Sequence, residues 1–532
     1  MRQITADQPT YASKDSFFGE DRKAQLSCLA VLAVAMIFFL FNTAQGIGIF
    51  TDSTRYMGIS ARDYDAPLYH WALTFGRELG LQFTQTATII AVLTLSANII
   101  LIHSLLARAT GGWLLPTVGA GLVALSPQFV TLHSSAMSEP PFLTFLLLTM
   151  WAALNYFQTG KRRSLIICSA FLGLATLTRF AAPPLGAAIA VIILATPGLD
   201  RRQKFRDVAW LTAVGGVIFL AWVAYSQMTA GRSIGRELWF YGNMGLGEWV
   251  SSLEVMTAWI LPDQIPLMVR IPILVTIIGT ALAHAIGSLR IHTEAGSIPS
   301  SHPAAVLSAM LGMFFIFYMI FIVLAVPIEA NLTLTGRYAF PAYVALAMLA
   351  TLAIFNFQLN APGNRCGFAV IIGLALMICG LHGVRSVART PEVYRDGYGY
   401  QHVSWRTSPA IAAVKTLPDE AVLYSNGPDI ISFHTGRTAE FSPHEYMLRT
   451  GKPEQGNPIA LQFQTLRSLA DEYPTYVVMF DHVTWRHYLA GEEKLVTELG
   501  LQKMYQSRDG RIYRIPPRRS GATRKDVRNG GQ

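Results

Sequence analysis

In the stretch GIGIFTDSTRYMGIS, residues 46–60, an acid (Asp52), a base (Arg55) and a phenol (Tyr56) appear directly after a long, almost uncharged run. Aspartate is a favoured helix N-cap. Asp52 therefore reads either as the start of a helix through STRYMGISARD or as a chemically active carboxylate, and the two roles are compatible. On such a helix Asp52, Arg55, Tyr56, Ile59 and Asp63 fall on one face. A little further on, RDYDAPLYHWALTFGREL carries an Asp-x-Asp pair, Asp63 and Asp65, with Pro67 halting any helix. Two such carboxylates can hold a divalent cation, Mg2+ or Mn2+, through hard oxygen ligands, provided the backbone there is not a regular helix. Tyr69 and His70 either line the same face or sit at a membrane boundary. Glu139, followed by Pro140 and Pro141, is open to three readings: capping a helix dipole, binding a metal or orienting a cation. His133 reads as a polar loop residue.

The elements that must position these groups are spans. Of the 532 residues, 52% are hydrophobic and 14% charged, whereas charged residues make up about a quarter of a soluble globule. The chain reads as a polytopic α-helical membrane protein. Apolar runs of about 20 residues, long enough to cross a bilayer, lie near 26–49, 84–107, 113–132, 140–157, 164–179, 181–196, 208–228, 268–288, 304–326, 338–357 and 367–384. This gives about 11 to 13 transmembrane helices. The fifth and sixth runs are short and are separated only by the stretch around Arg179. The first run follows a polar stretch and lacks a small-residue cleavage site, so it is expected to remain as span one. Cys28, Cys168, Cys366 and Cys379 fall in apolar spans and give neither a disulfide framework nor zinc spacing.

The net charge of +9 is spread over loops and the tail with no basic stripe interleaved with aromatics, which excludes a nucleic-acid partner. It gives orientation instead. Lys161, Arg162 and Arg163, then Arg201, Arg202, Lys204 and Arg206, occupy short loops on the amino-terminal side, which the positive-inside rule makes cytoplasmic. The Asp52 loop, the Glu139 turn, the segment 229–267 and everything after about 385 then lie outside. The expected organisation is a cytoplasmic tail (1–25), a transmembrane domain (26–384) and a soluble α/β domain outside the membrane (385–515), followed by a disordered basic tail (516–532). The first outer loop covers 50–83. The outer loop 229–267, with Trp239, Phe240, Tyr241, Trp249 and Trp259, reads as partly interfacial helix. In the carboxyl domain a strand ends at Ser425 before a turn and short helix. TYVVMFD is a buried strand, EEKLVTELG a helix, and LQKMYQSRDGRIYRI two strands around Asp-Gly. Asp429, His434 and Asp481 form no nucleophile–base pattern, and this domain reads as a packing lid over the site, with gating of the acceptor or recognition of a polymer as the other readings.

An outer loop after span one with Asp-x-x-x-Tyr, then Pro-Leu-Tyr-x-Trp, then many spans, resembles the polyprenyl-phosphate-sugar-dependent glycosyltransferases of the GT-C superfamily. The lipid A aminoarabinose and galacturonic acid transferases of bacteria and the protein O-mannosyltransferase-like families are the nearest in pattern. SSAMSEPPFLTFLLL, GLATLTRFAAPPL, LTGRYAFPAYVALAMLA and, more weakly, GYGYQHVSWRTSP continue the likeness. The chain departs from the pattern in having Ala66-Pro67 where two prolines are common, and Asp52-Ser53 where Asp-Glu is common.

The resemblance implies a GT-C-like fold and an inverting sugar transfer on the periplasmic face, with Asp52 as general base. It implies that Arg337, with Tyr338, and Arg179, with Arg55 and Tyr56, bind the donor phosphate, and that Asp63, Asp65, Glu139 and His70 are candidates for the acceptor or a metal. The other reading of Arg337 and Arg179 is as interfacial arginines whose heads reach for water. The implied partners are a polyprenyl-phosphate sugar, a lipid, polysaccharide or protein acceptor, and membrane lipids. The implied location is the bacterial inner membrane. An alternative is a transporter or flippase for a lipid-linked glycan, which should carry ionisable groups at mid-bilayer helix breaks. A third is a scaffold whose carboxyl domain binds a partner.

Overall fold

Apolar runs without access to water must satisfy their backbone groups internally, so they fold as helices. The computed structural model describes residues 22–60, 65–230, 240–294, 302–329, 332, 334–448, 451–454 and 456–518. Asp63, Trp239, most of the amino-terminal tail and the end of the basic tail lie outside the described residues. The first run forms α1 (Arg22–Asn42), and the segment that follows it holds the short α2 (Thr51–Tyr56) and α3 (Pro67–Glu78). Pro67 starts α3 at its first position, where its missing N–H costs nothing, rather than halting a helix. There follow α4 (Phe83–Thr110), α5 (Leu114–Ala124), α6 (Pro127–His133), α7 (Glu139–Thr159), α8 (Arg162–Thr178), α9 (Pro183–Ala195) and α10 (Arg201–Ala230). The remaining helices of this part are α11 (Leu246–Thr257), α12 (Leu267–Glu294), α13 (Pro303–Ala325), α14 (Gly336–Asn360) and α15 (Arg365–Asp396).

Every apolar run named above contains helix, though the first leaves it after Asn42, and among the described residues eight helices are long and apolar enough to cross a membrane, or nine if α5 and α6, bent by 66°, form one span. This is fewer than the expected 11 to 13. The break at Ser126-Pro127 splits one run, and the break around Arg179 leaves α8 and α9 short. The central helices are α14 and α7, with 78% and 67% of their apolar windows buried, whereas α1, α12 and α15 bury only 22%. The apolar side chains left bare on those outer helices are what lipid would cover.

Where α8 crosses α10 the backbones touch. A Cβ on Gly215 would stand 2.6 Å from the Ser169 carbonyl, and one on Gly173 would stand 2.7 Å from the Gly215 Cα. Backbone cannot give way as a side-chain tip can. Gly215→Ala is expected to lower stability by about 1–3 kcal/mol through overpacking. Gly216→Ala, where the added methyl meets nothing within 4 Å, should not, and apparent melting temperatures of the two purified variants compare them directly.

The last helix, α15, continues beyond its apolar run to Asp396 and leads into α16 (Val403–Arg406), α17 (Pro409–Val414), β1 (Val422–Ser425), α18 (Pro428–Thr435), β2 (Glu440–Phe441), α19 (Ile459–Glu472), β3 (Thr475–Phe480), α20 (Glu492–Leu499), β4 (Gln502–Gln506) and β5 (Gly510–Arg514). The sheet order is β2-β1-β3-β5-β4, with β1 parallel to β2 and β3, and β5 antiparallel to β3 and β4. All six residues of β3 are buried, as befits a central strand covered on both faces. Val477 and Met479 join Phe463, Leu466, Leu495 and Leu499 on one face. Val478 and Phe480, by strand alternation, point the other way and join α17, α18 and the core of the spanning helices. The α/β domain is thus packed into the transmembrane core along one face.

Candidate active site

The helix expected at Asp52 is shorter than its sequence suggests. Phe50 is the N-cap, its N–H bonded to Ser53 Oγ at 3.0 Å, so Asp52 is not the cap but lies in the first turn, beside the positive end of the helix dipole. Glu139 likewise opens α7. Asn98 of α4 fixes that turn by donating to the Pro140 carbonyl at 3.1 Å and accepting from Thr144 Oγ1 at 2.8 Å. His133, expected in a loop, is instead fully buried at the end of α6, 3.0 Å from the same Asn98 and stacked on Phe129. Arg179 occupies the break between α8 and α9. Arg337 stands in the first turn of α14, where the backbone of Tyr338 is anchored by the hydroxyl of Tyr318 at 2.8 Å.

These elements bring six charged side chains into one alternating chain. Asp65 receives Arg55 Nε at 2.8 Å; Arg55 Nη2 reaches Asp52 at 2.6 Å; Asp52 pairs with Arg337; Arg337 pairs with Glu139; and Glu139 receives Arg179 Nη1 at 2.8 Å. Three carboxylates and three guanidinia therefore neutralise one another. Glu139, 2% exposed, sits between two cations and keeps one oxygen, Oε2, buried without a hydrogen bond. The ring of Tyr338 lies under both Arg179 (5.2 Å) and Arg337 (5.4 Å). Ser138 Oγ accepts from Arg179 Nη1 at 3.1 Å and lies 3.0 Å from the Tyr56 hydroxyl. Burial pushes the Asp52 carboxyl up, but Arg337 and Arg55 outweigh it and hold the group below the ordinary carboxylate range. Burial and the neighbouring carboxylates push the Tyr56 phenol up, so it stays neutral.

Of the residues expected from sequence, Asp52, Arg55, Tyr56, Asp65, Glu139, Arg179, Arg337 and Tyr338 meet here. His70 does not join the charged chain; its Nδ1 lies 2.8 Å from the Tyr56 carbonyl. Asp63 lies outside the described residues, so the Asp-x-Asp pair is represented by Asp65 alone. The described carboxylates do not fit a divalent cation, because each faces a guanidinium, and no group of three His, Cys, Asp or Glu side chains converges among the described residues. Sequence reading gave no site role to Ser138, Thr51, Tyr400 or Arg486 and set Asp429 aside; Tyr400, Asp429 and Arg486 come from the α/β domain. Ser138, Thr51 and Tyr400 lie within SSAMSEPPFLTFLLL, GIGIFTDSTRYMGIS and GYGYQHVSWRTSP, whereas nothing in the sequence marked Arg486.

Over 92% of its length this chain superposes on 98% of ArnT from Cupriavidus metallidurans, in the apo state (TM-score 0.56, 14% identity) and bound to undecaprenyl phosphate (TM-score 0.57, 15% identity). The fold is the GT-C fold. Within it, residues 64–225 match the family model described as dolichyl-phosphate-mannose-protein mannosyltransferase. The arabinofuranosyltransferase AftD from Mycobacteria shares the GT-C fold over 93% of this chain, which spans 40% of AftD (TM-score 0.52, 14% identity). No curated protein sequence matches.

Proposed function

We propose that the protein is a membrane glycosyltransferase that moves a sugar from a polyprenyl-phosphate donor to a lipid, glycan or protein acceptor outside the bacterial inner membrane. The observation that carries this is the neutral charge chain at one set of helix ends of a GT-C fold, with Asp52 within it. Because Glu139 begins α7 and Thr159 ends it, the basic loop 161–163 lies at the opposite end from the site. By the positive-inside rule this supports a site and an α/β domain outside the cytoplasm.

In the proposed reaction Asp52 takes the acceptor's hydroxyl proton as that oxygen attacks the anomeric carbon. The bond from that carbon to the phosphate oxygen breaks, and the polyprenyl phosphate leaves with the electron pair. Arg337 and Arg179 bind that phosphate through charge-assisted hydrogen bonds. A carboxylate clamped by two guanidinia is a weak base. The donor phosphate, as a competing anion, draws Arg337 away and lets burial raise the Asp52 pKa, so the base is switched on only when the donor is present.

Transfer of radiolabelled sugar by the purified protein in nanodiscs tests the reading. The acid limb of kcat/KM reports the free enzyme and that of kcat the donor complex. Protonating Asp52 stops the reaction as pH falls. The limb in kcat/KM is therefore expected below the ordinary aspartate value of about 3.9, and the limb in kcat at higher pH. Coincident limbs would remove the switching step. No transfer from any donor, with lipid-linked sugar crossing the bilayer, would favour a flippase instead.

A further inference from the structure

A second polar network, separate from the charge chain, ties the α/β domain to the residue just before Asp52. The Thr51 hydroxyl accepts from Arg486 Nη2 at 3.1 Å and lies 2.9 Å from the Tyr400 hydroxyl. Tyr400 donates its proton to Asp429 Oδ2, which leaves Thr51 to donate to Tyr400. Arg486 Nη2 donates to Asp429 Oδ2 at 2.8 Å, Nη1 donates to the Asn426 carbonyl at 2.7 Å, and Nη1 also lies within ion-pair distance of Asp429 Oδ1, at 2.8 Å, without a hydrogen bond to it. The Asp429 and Arg486 side chains are 2% and 3% exposed.

A pair this buried is a poor device for stability alone, since apolar side chains of similar volume do as well or better. What an apolar pair cannot do is hold the Thr51 hydroxyl at a fixed place. The backbone follows the same path. The Tyr400 N–H donates to the Ile49 carbonyl at 2.8 Å, and Gly399, with φ +62°, comes so close that a Cβ would stand 2.2 Å from that oxygen. Gly48 in turn bonds to Ser134 and Ala136, on the segment that leads to Glu139. Residues 48–51 thus form a strap registered against both the α/β domain and the chain that carries Glu139.

We propose that Arg486, Asp429 and Tyr400 are positioning residues that set the place of Asp52 through Thr51, so that the α/β domain is a structural part of the site. The role assigned to Asp52 rests on the transfer reading above. The strap and its anchors do not.

The test uses the full-length protein in nanodiscs and two readouts, hydrogen exchange of the peptide covering residues 50–57 and transfer kinetics. Thr51→Val is nearly isosteric and removes only the hydroxyl, and Tyr400→Phe removes the hydroxyl at the other end. Both are expected to speed exchange of the α2 amides about tenfold, as for one lost hydrogen bond to a charged group. Both should also lower kcat about 10²-fold, as for a reacting group displaced by about 1 Å, with little change in the donor KM. Thr51→Ser, which keeps the hydroxyl, should restore both readouts. Unchanged exchange in Thr51→Val and Tyr400→Phe overturns the proposal, as does faster exchange with unchanged kcat, or a fall in kcat that Thr51→Ser does not rescue. If the wild type transfers no sugar from any donor, the transfer reading fails, and the exchange result alone decides whether the α/β domain holds α2 in place.

Discussion

Asp52→Asn is expected to lower kcat for sugar transfer by about 10²–10⁴-fold, the usual worth of a general base, without weakening the donor. The two side chains have nearly the same shape, so the strap, α2 and the hydrogen bond from Phe50 N–H to Ser53 should survive. The negative charge that occupies Arg337 and Arg55 is lost. Both guanidinia then face less competition for the incoming phosphate, and the donor KM should stay level or fall. A lower kcat with an unchanged or lower KM is the pattern of a lost transition-state contact, whereas a raised KM alone would mark Asp52 as a binding residue. Full turnover in the variant would end its assignment as the base. The measurement is steady-state transfer with the donor that the wild type accepts.

Glu139→Gln is expected to destabilise the protein strongly, because its carboxylate serves two cations at once. Arg179 and Arg337 both reach Oε1. A glutamine there is neutral, so Arg179 would lose its acid partner while standing beside a second cation. Stranding a buried charge costs about 3–5 kcal/mol. The lower end applies here, since the Arg179 and Arg337 side chains are 15% and 21% exposed and water can partly serve them. The check is a fall in the apparent melting temperature of the purified variant. Glu139→Gln combined with Arg179→Met should recover part of the loss by removing one of the two cations, a coupling that independent sites would not show. An unshifted melting temperature in the single variant would show that Glu139 does not hold the two arginines.

The membrane class was legible in the sequence because crossing a hydrocarbon core demands long apolar runs whatever the tertiary arrangement. The α/β elements were legible for a similarly local reason. Ser425 ends β1, TYVVMF is β3, and residues 507–509 separate β4 from β5, which opens at the Gly of Asp509-Gly510, as alternation and turn chemistry require. The number of spans was less so. Whether Ser126-Pro127 and Arg179 interrupt a span or join two depends on what packs against the break, which hydropathy does not report. His133 was misread for the same reason: its burial depends on Asn98, 35 residues away.

The candidate residues themselves were visible one by one, since a charge at the end of an apolar run stands out. Their pairing was not. Asp52 to Arg55 is a helical neighbour that spacing can predict, but Arg337 to Glu139 joins residues 198 positions apart, and Arg486 to Thr51 joins residues 435 apart. The sequence by itself determined a helical membrane protein with a carboxyl-terminal α/β domain, and a short roster of acids and arginines at helix ends. Only the tertiary structure decided that those groups neutralise one another in a single chain, that the described carboxylates face guanidinia rather than a shared cation, and that the α/β domain grips the strap before Asp52. Local patterns reflect backbone periodicity and solvent, whereas partners distant along the chain are chosen by how whole helices pack.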